Sequence, residues 1–184
     1  TEFIHMQADA NLVIKAGKRD EFYSSVSFGY SPVPRVYKGT AQQQSIKRYR
    51  SREHYVAWRP ITSRGIYAGL MDKAYGIRLV EHSSYSRTTP LLTMNDQSHG
   101  LTLHYSVPSF EAGFNYFIGN LSQQNQDLRA KGFSSTFEYT FAEKNRLGMS
   151  LLSQSNQYLK TVATSLHSRH GLSGGNSILF EVGS

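Results

Sequence analysis

The chain has 184 residues, a length that suits one domain or one small barrel. Its 39% hydrophobic content and negative mean hydropathy exclude a helical membrane protein, because no stretch approaches the ~18 apolar residues a spanning helix needs. The 20 basic and 13 acidic side chains give a formal charge of +7, and the absence of cysteine excludes disulfide staples and thiolate metal sites. A membrane β-barrel is not excluded, since a strand with one polar face hides its lipid-facing half in any average.

Twelve Tyr, ten Phe and fifteen Gly against one Trp suit an all-β chain. Alternation and breaker residues predict ten strands, near 10–18, 22–32, 54–60, 65–73, 99–107, 110–120, 132–141, 146–154, 158–168 and 176–183. In the second, Phe22, Val26, Phe28 and Tyr30 oppose Tyr23, Ser25, Ser27 and Gly29. The faces of the third, fourth and ninth are ambiguous from sequence.

The clearest unit is HGLTLHYSVPSFEAGFNYFI, residues 99–118, which alternates on both sides of Pro108-Ser109. A two-residue break between alternating runs specifies an antiparallel hairpin. Pairing 107 with 110 sets Tyr105 opposite Ala112, Leu103 opposite Phe114 and Leu101 opposite Tyr116, so the apolar faces coincide. The other face carries Thr102, His104, Ser106, Glu111, Gly113 and Asn115. Farther on, Phe133, Phe137, Tyr139 and Phe141 oppose Ser134, Thr136, Glu138 and Thr140. Such strands need grease on one side and water on the other.

The connections alternate in length. Short links at 19–21, 108–109 and 142–145 separate long loops near 33–53, 74–98 and 121–131. Short turns on one rim and long loops on the other fit an outer-membrane barrel better than a soluble one, whose connections are of similar length. Aromatic residues near strand ends (Trp58, Phe110, Tyr139, Phe141) fit the interfacial girdles of such barrels.

The runs GIYAGLMDKAYGIRL, GLTLHYSVPSFEAGFNYFIGNL, FSSTFEYTFAEKNRLGMSLL and HSRHGLSGGNSILFEVG resemble Gram-negative outer-membrane β-barrel proteins of the porin-like type. The resemblance covers most of the chain from about Asp20 onward and is one of pattern. It implies an antiparallel transmembrane β-barrel in the bacterial outer membrane, with short periplasmic turns, long extracellular loops and insertion by the barrel-assembly machinery. Such barrels usually end in an aromatic residue, whereas the sequence here ends Phe180-Glu181-Val182-Gly183-Ser184. The expectation is one β-barrel domain over 1–184, of about ten strands, closed alone or as a section of a larger barrel.

The expected lumen-lining set is Lys15, Thr102, His104, Glu111, Asn115, Glu138, Arg146 and Glu181. Mixed charges on a barrel interior tune which solutes pass, or else pair with one another and plug it. A second set, Arg35, Lys38, Lys47, Arg48, Arg50 and Arg52, makes a basic loop over 34–53. Outside the barrel it would meet lipopolysaccharide phosphates; folded inward it would favour anions.

No catalytic residue, metal or cofactor is expected. His82 beside Ser83 and His167 beside Ser168 would point to opposite faces of a strand, and Asp96 near His99 lacks a nucleophile. His167 and His170 would meet a metal only if the chain turned there, and two histidines alone make a weak site. Three functions compete. The first is passive passage of small polar solutes. The second is a non-conducting scaffold whose long loops hold a protein partner or surface ligand. The third is a soluble barrel carrying a lipophilic ligand. Outer-membrane lipid and lipopolysaccharide are the expected surroundings, and nucleic acid is not an expected partner.

Overall fold

The computed structural model describes residues 8–30, 49–77, 92, 96–122 and 125–184. Ten strands account for most of them: β1 (Ala8–Ala16), β2 (Phe22–Tyr30), β3 (Tyr49–Ile61), β4 (Arg64–Met71), β5 (Ser98–Val107), β6 (Phe110–Phe117), β7 (Lys131–Phe141), β8 (Asn145–Ser155), β9 (Lys160–Gly171) and β10 (Ser177–Gly183). Each pairs antiparallel with its neighbour in sequence, in the order β1 to β10. Among the described residues β1 and β10 form no ladder with each other, so the sheet is an open section of an up-and-down antiparallel wall.

The 99–118 hairpin has the register its sequence demands, with Val107 opposite Phe110, Tyr105 opposite Ala112, Leu103 opposite Phe114 and Leu101 opposite Tyr116. At the first tight turn Gly17 takes φ +99° and Asp20 takes φ +53°. The Glu21 carboxylate accepts the Arg19 backbone N–H at 2.7 Å, and these backbone donors hold it below the usual carboxylate range.

Two expectations about boundaries are corrected. Arg50 and Arg52 belong to β3, not to a basic loop, because the ladder with β2 runs on until Tyr30 faces Tyr49. Ser27 faces Glu53 while Phe28 faces Ser51, leaving Arg52 as the extra residue of a β-bulge. Arg35, Lys38, Lys47 and Arg48 lie outside the described residues. The second correction concerns the connection after β4, expected to project from the rim over 74–98. Of its described residues, Lys73 to Ile77, Leu92 and Gln97 are buried, Asp96 is half-buried and Asp72 is exposed.

Those parts lie on the polar face. Lys73 Nζ donates to Gln154 Oε1 at 2.8 Å, and the Gly76 N–H donates to Ser150 Oγ at 2.9 Å. Tyr75 and Leu92 form one apolar cluster with Phe117, Leu152 and Ala163. The cover explains an inversion of normal burial. A cross-strand row of Thr102, Asn115, Ser134, Leu152 and Ala163 is buried, with Asn115 1% exposed and Ser134 fully covered. On the opposite face Leu103 and Phe114 are each 46% exposed. Large apolar side chains are bare and small polar ones are inside.

Candidate functional site

The polar face is built from strand residues of one parity, and its chemistry concentrates near the rim of tight turns. Glu111 on β6 and Glu138 on β7 are directly opposite each other. Like charges at such a position repel unless something intervenes. Arg146 intervenes. Its Nη1 lies 3.1 Å from Glu111 Oε2 and 3.2 Å from Glu138 Oε2, bridging both carboxylates. Glu111 also meets His104 Nε2 at 3.0 Å.

Glu138 is the deeper member, its side chain 7% exposed. Burying a carboxylate is costly unless donors surround it, and here there are three. Arg169 Nη2 donates to Oε1 at 2.6 Å, His167 Nε2 stands 3.1 Å from the same oxygen, and Arg146 serves Oε2. Gly148 lies between Glu138 and His167 in register, and a Cβ there would overlap the imidazole. The glycine lets the ring cross a whole strand. Two carboxylates against two guanidinium groups balance formally.

Beside this network sits an aromatic group. Tyr23, Tyr55 and Tyr67 pack edge to face with centroids 5.9–6.1 Å apart, and Tyr67 reaches His104 at 6.3 Å. Toward the middle of the face Asn115 Nδ2 donates to Thr102 Oγ1 at 2.6 Å, and that hydroxyl donates to Met71 Sδ at 3.1 Å.

Four of the residues expected on this face, His104, Glu111, Glu138 and Arg146, therefore join into one network, and Thr102 and Asn115 bond to each other. Glu181 stands opposite His167 on β10 and faces Gly76, where a side chain would meet its carboxylate. Lys15 lies on the same face at the edge of the sheet. It stands opposite Tyr23, and its Nζ pairs with Asp20 in the tight turn at 3.7 Å, both being mostly exposed.

Sequence reasoning missed Arg169 and gave His167 the wrong company. His167 and His170 are both inside β9, where a spacing of three puts them on opposite faces; His170 Nδ1 meets Asn145 Oδ1 at 3.2 Å instead. The available signal was the alternation of Ala163, Ser165, His167 and Arg169 with Val162, Leu166 and Ser168. Asp96 does not serve His99; its charge acts on Lys73. Lys73 is buried against the Phe117 ring, 5.0 Å from its centroid, and burial pulls its ammonium down to about 8 against the attraction of Asp96 and Asp72.

The bare face has its own form. Phe22 and Trp58 stack beside the first two tight turns, and Phe110 meets Phe137 at 4.3 Å. A trough of about 1300 Å³ runs across the strands, lined in part by Trp58, Ile66, Leu103, Phe114, Met149 and Leu166.

No family model matches the chain, and no curated protein matches it. Among solved structures the chain is similar to an outer membrane protein of Vibrio cholerae, OmpT, folded in vitro and in its trimer form. The identity is 8% and the TM-score 0.40, over 97% of this chain and 70% of that one.

Proposed function

We propose that this chain forms wall of a bacterial outer-membrane β-barrel and works as a porin-like passive channel for small polar solutes, without covalent chemistry. One observation carries the reading: the large apolar side chains are bare on one face while Glu111, Glu138, Arg146, Arg169, His104 and His167 gather on the other. In water the first face would be a broad aggregation surface; against lipid tails it is the side that belongs there. The second face suits an aqueous lumen, where fixed opposite charges orient polar solutes. Outer-membrane lipid and lipopolysaccharide are the partners this reading needs, with the barrel-assembly machinery for insertion.

Two observations favour the rivals. The cover of the polar face by Lys73 to Ile77 suits a plugged, non-conducting scaffold that binds through its long connections. The apolar trough suits a carrier of a lipophilic ligand. Reconstitution of the protein in planar bilayers decides among them. Discrete conductance steps support the channel; refolded protein in the membrane without steps leaves the scaffold, and solubility without detergent leaves the carrier.

A further inference from the structure

His54 on β3 and His99 on β5 flank Leu70 of β4 in register, and their imidazoles meet above it. The two Nε2 atoms are 3.1 Å apart and the ring centroids 5.1 Å apart, while Leu70 is fully buried. On the far side of each ring stands a second partner. Ser51 Oγ lies 2.7 Å from His54 Nδ1, and the Leu121 backbone N–H donates to His99 Nδ1 at 3.1 Å. Leu121 belongs to the connection between β6 and β7.

These contacts determine every proton. A backbone N–H only donates, so His99 Nδ1 accepts and the neutral ring carries its hydrogen on Nε2. That hydrogen points at His54 Nε2, which accepts it. His54 then holds its own hydrogen on Nδ1 and donates to Ser51 Oγ. The chain of donation runs from Leu121 through both rings to Ser51.

We infer that this pair is an acid-released latch on the β6–β7 connection. Each neutral imidazole has one accepting nitrogen, and both are already occupied. A proton taken up at His99 Nδ1 expels the Leu121 N–H. One taken up at His54 Nε2 sets two N–H groups against each other at 3.1 Å. The first event breaks the Leu121 link itself and the second breaks the link that orients the His99 ring, and the new charge adds to that of Arg129, whose Nη2 donates to the Leu121 carbonyl at 3.1 Å. Among the described residues, Arg52 and Glu53 adjoin His54 in the chain; β4 contributes Leu70, and the β6 end contributes the Gly119 carbonyl, which accepts the His99 N–H at 3.0 Å. The pair holds Leu121 at neutral pH and lets it go in acid.

The chain has no cysteine, so Ser122→Cys gives one unambiguous site for a spin label. In the full refolded chain the label's immobile component should dominate at pH 8 and be lost by pH 5. In the double variant His54→Gln/His99→Gln, whose amides donate and accept without titrating, the spectrum should not change over that range. An unchanged wild-type spectrum, or the same loss in the double variant, overturns the latch. Nitrogen NMR of the wild-type imidazoles keeps the test open if the variant fails to fold: at pH 8 His99 must be the Nε2–H tautomer and His54 the Nδ1–H tautomer, and any other pairing also overturns it.

Discussion

Glu138 and His167 lie two strands apart and touch only because residue 148 between them is glycine. The imidazole occupies the space a Cβ would fill. Gly148→Ala should therefore push the ring away, take one of three donors from a buried carboxylate and crowd the Phe137 carbonyl of β7, at a cost of at least about 1–3 kcal/mol. Urea unfolding of the refolded protein measures it. Gly113→Ala is the control, since its nearest neighbour, a Thr136 methyl, is 3.3 Å from the new atom.

Arg146 is the bridge that lets two opposed glutamates coexist. Replacing it by glutamine keeps a hydrogen-bond donor and removes the charge, leaving the network with two carboxylates against Arg169 alone among the guanidinium groups. If the face lines a conducting lumen, Arg146→Gln should shift the reversal potential in a salt gradient toward cation preference, and Glu111→Gln should shift it toward anions. Equal reversal potentials in both variants and wild type would show that ions do not pass this network.

Lys73 makes the docking of residues 72–77 depend on pH. Below about 8 its ammonium is charged whether the segment is docked or released, so the full cost of burying it is present. Between about 8 and the ordinary 10.5 the docked form has lost its proton while the released form keeps it. The released state then binds more protons, and stability rises with pH through that window. The urea midpoint of the wild type should increase from pH 7 to about pH 9.5, and Lys73→Met should lose that increment. A wild-type midpoint that stays level relative to the variant would mean the segment is not docked through Lys73.

The strands were legible because alternation reports a physical boundary, and any boundary between two media produces it. Phe114 beside Asn115 announces two faces regardless of which is wet. Residues that act by crossing the alternation were not legible. His167 reaches Glu138 over a glycine of another strand, and no local pattern ties position 148 to 138 and 167 at once. Lys73 was hidden for a different reason. A lysine after a strand reads as the solvated start of a loop, and its burial depends on Gln154 and Phe117, eighty-one and forty-four positions away. Arg50 and Arg52 misled because charge outweighed strand continuity, whereas a ladder with β2 tolerates them through a bulge.

The bare face gives the most direct test of the membrane assignment. Leu103 lies in mid-strand on a row with Ile66 and Phe114, as far from both rims as this face allows. A charge there costs about 2–4 kcal/mol if the face meets hydrocarbon at the bilayer midplane. In water the same charge is solvated and costs little. Leu103→Arg should therefore lower the folded fraction in phosphatidylcholine vesicles by two or three decades in equilibrium constant. Lys131→Arg, at the rim on the same face, should leave it unchanged. Lys131 already carries a charge at that rim, so Lys131→Arg controls for the guanidinium group itself. A Leu103→Arg protein that folds as well as the wild type in vesicles would remove lipid from that face.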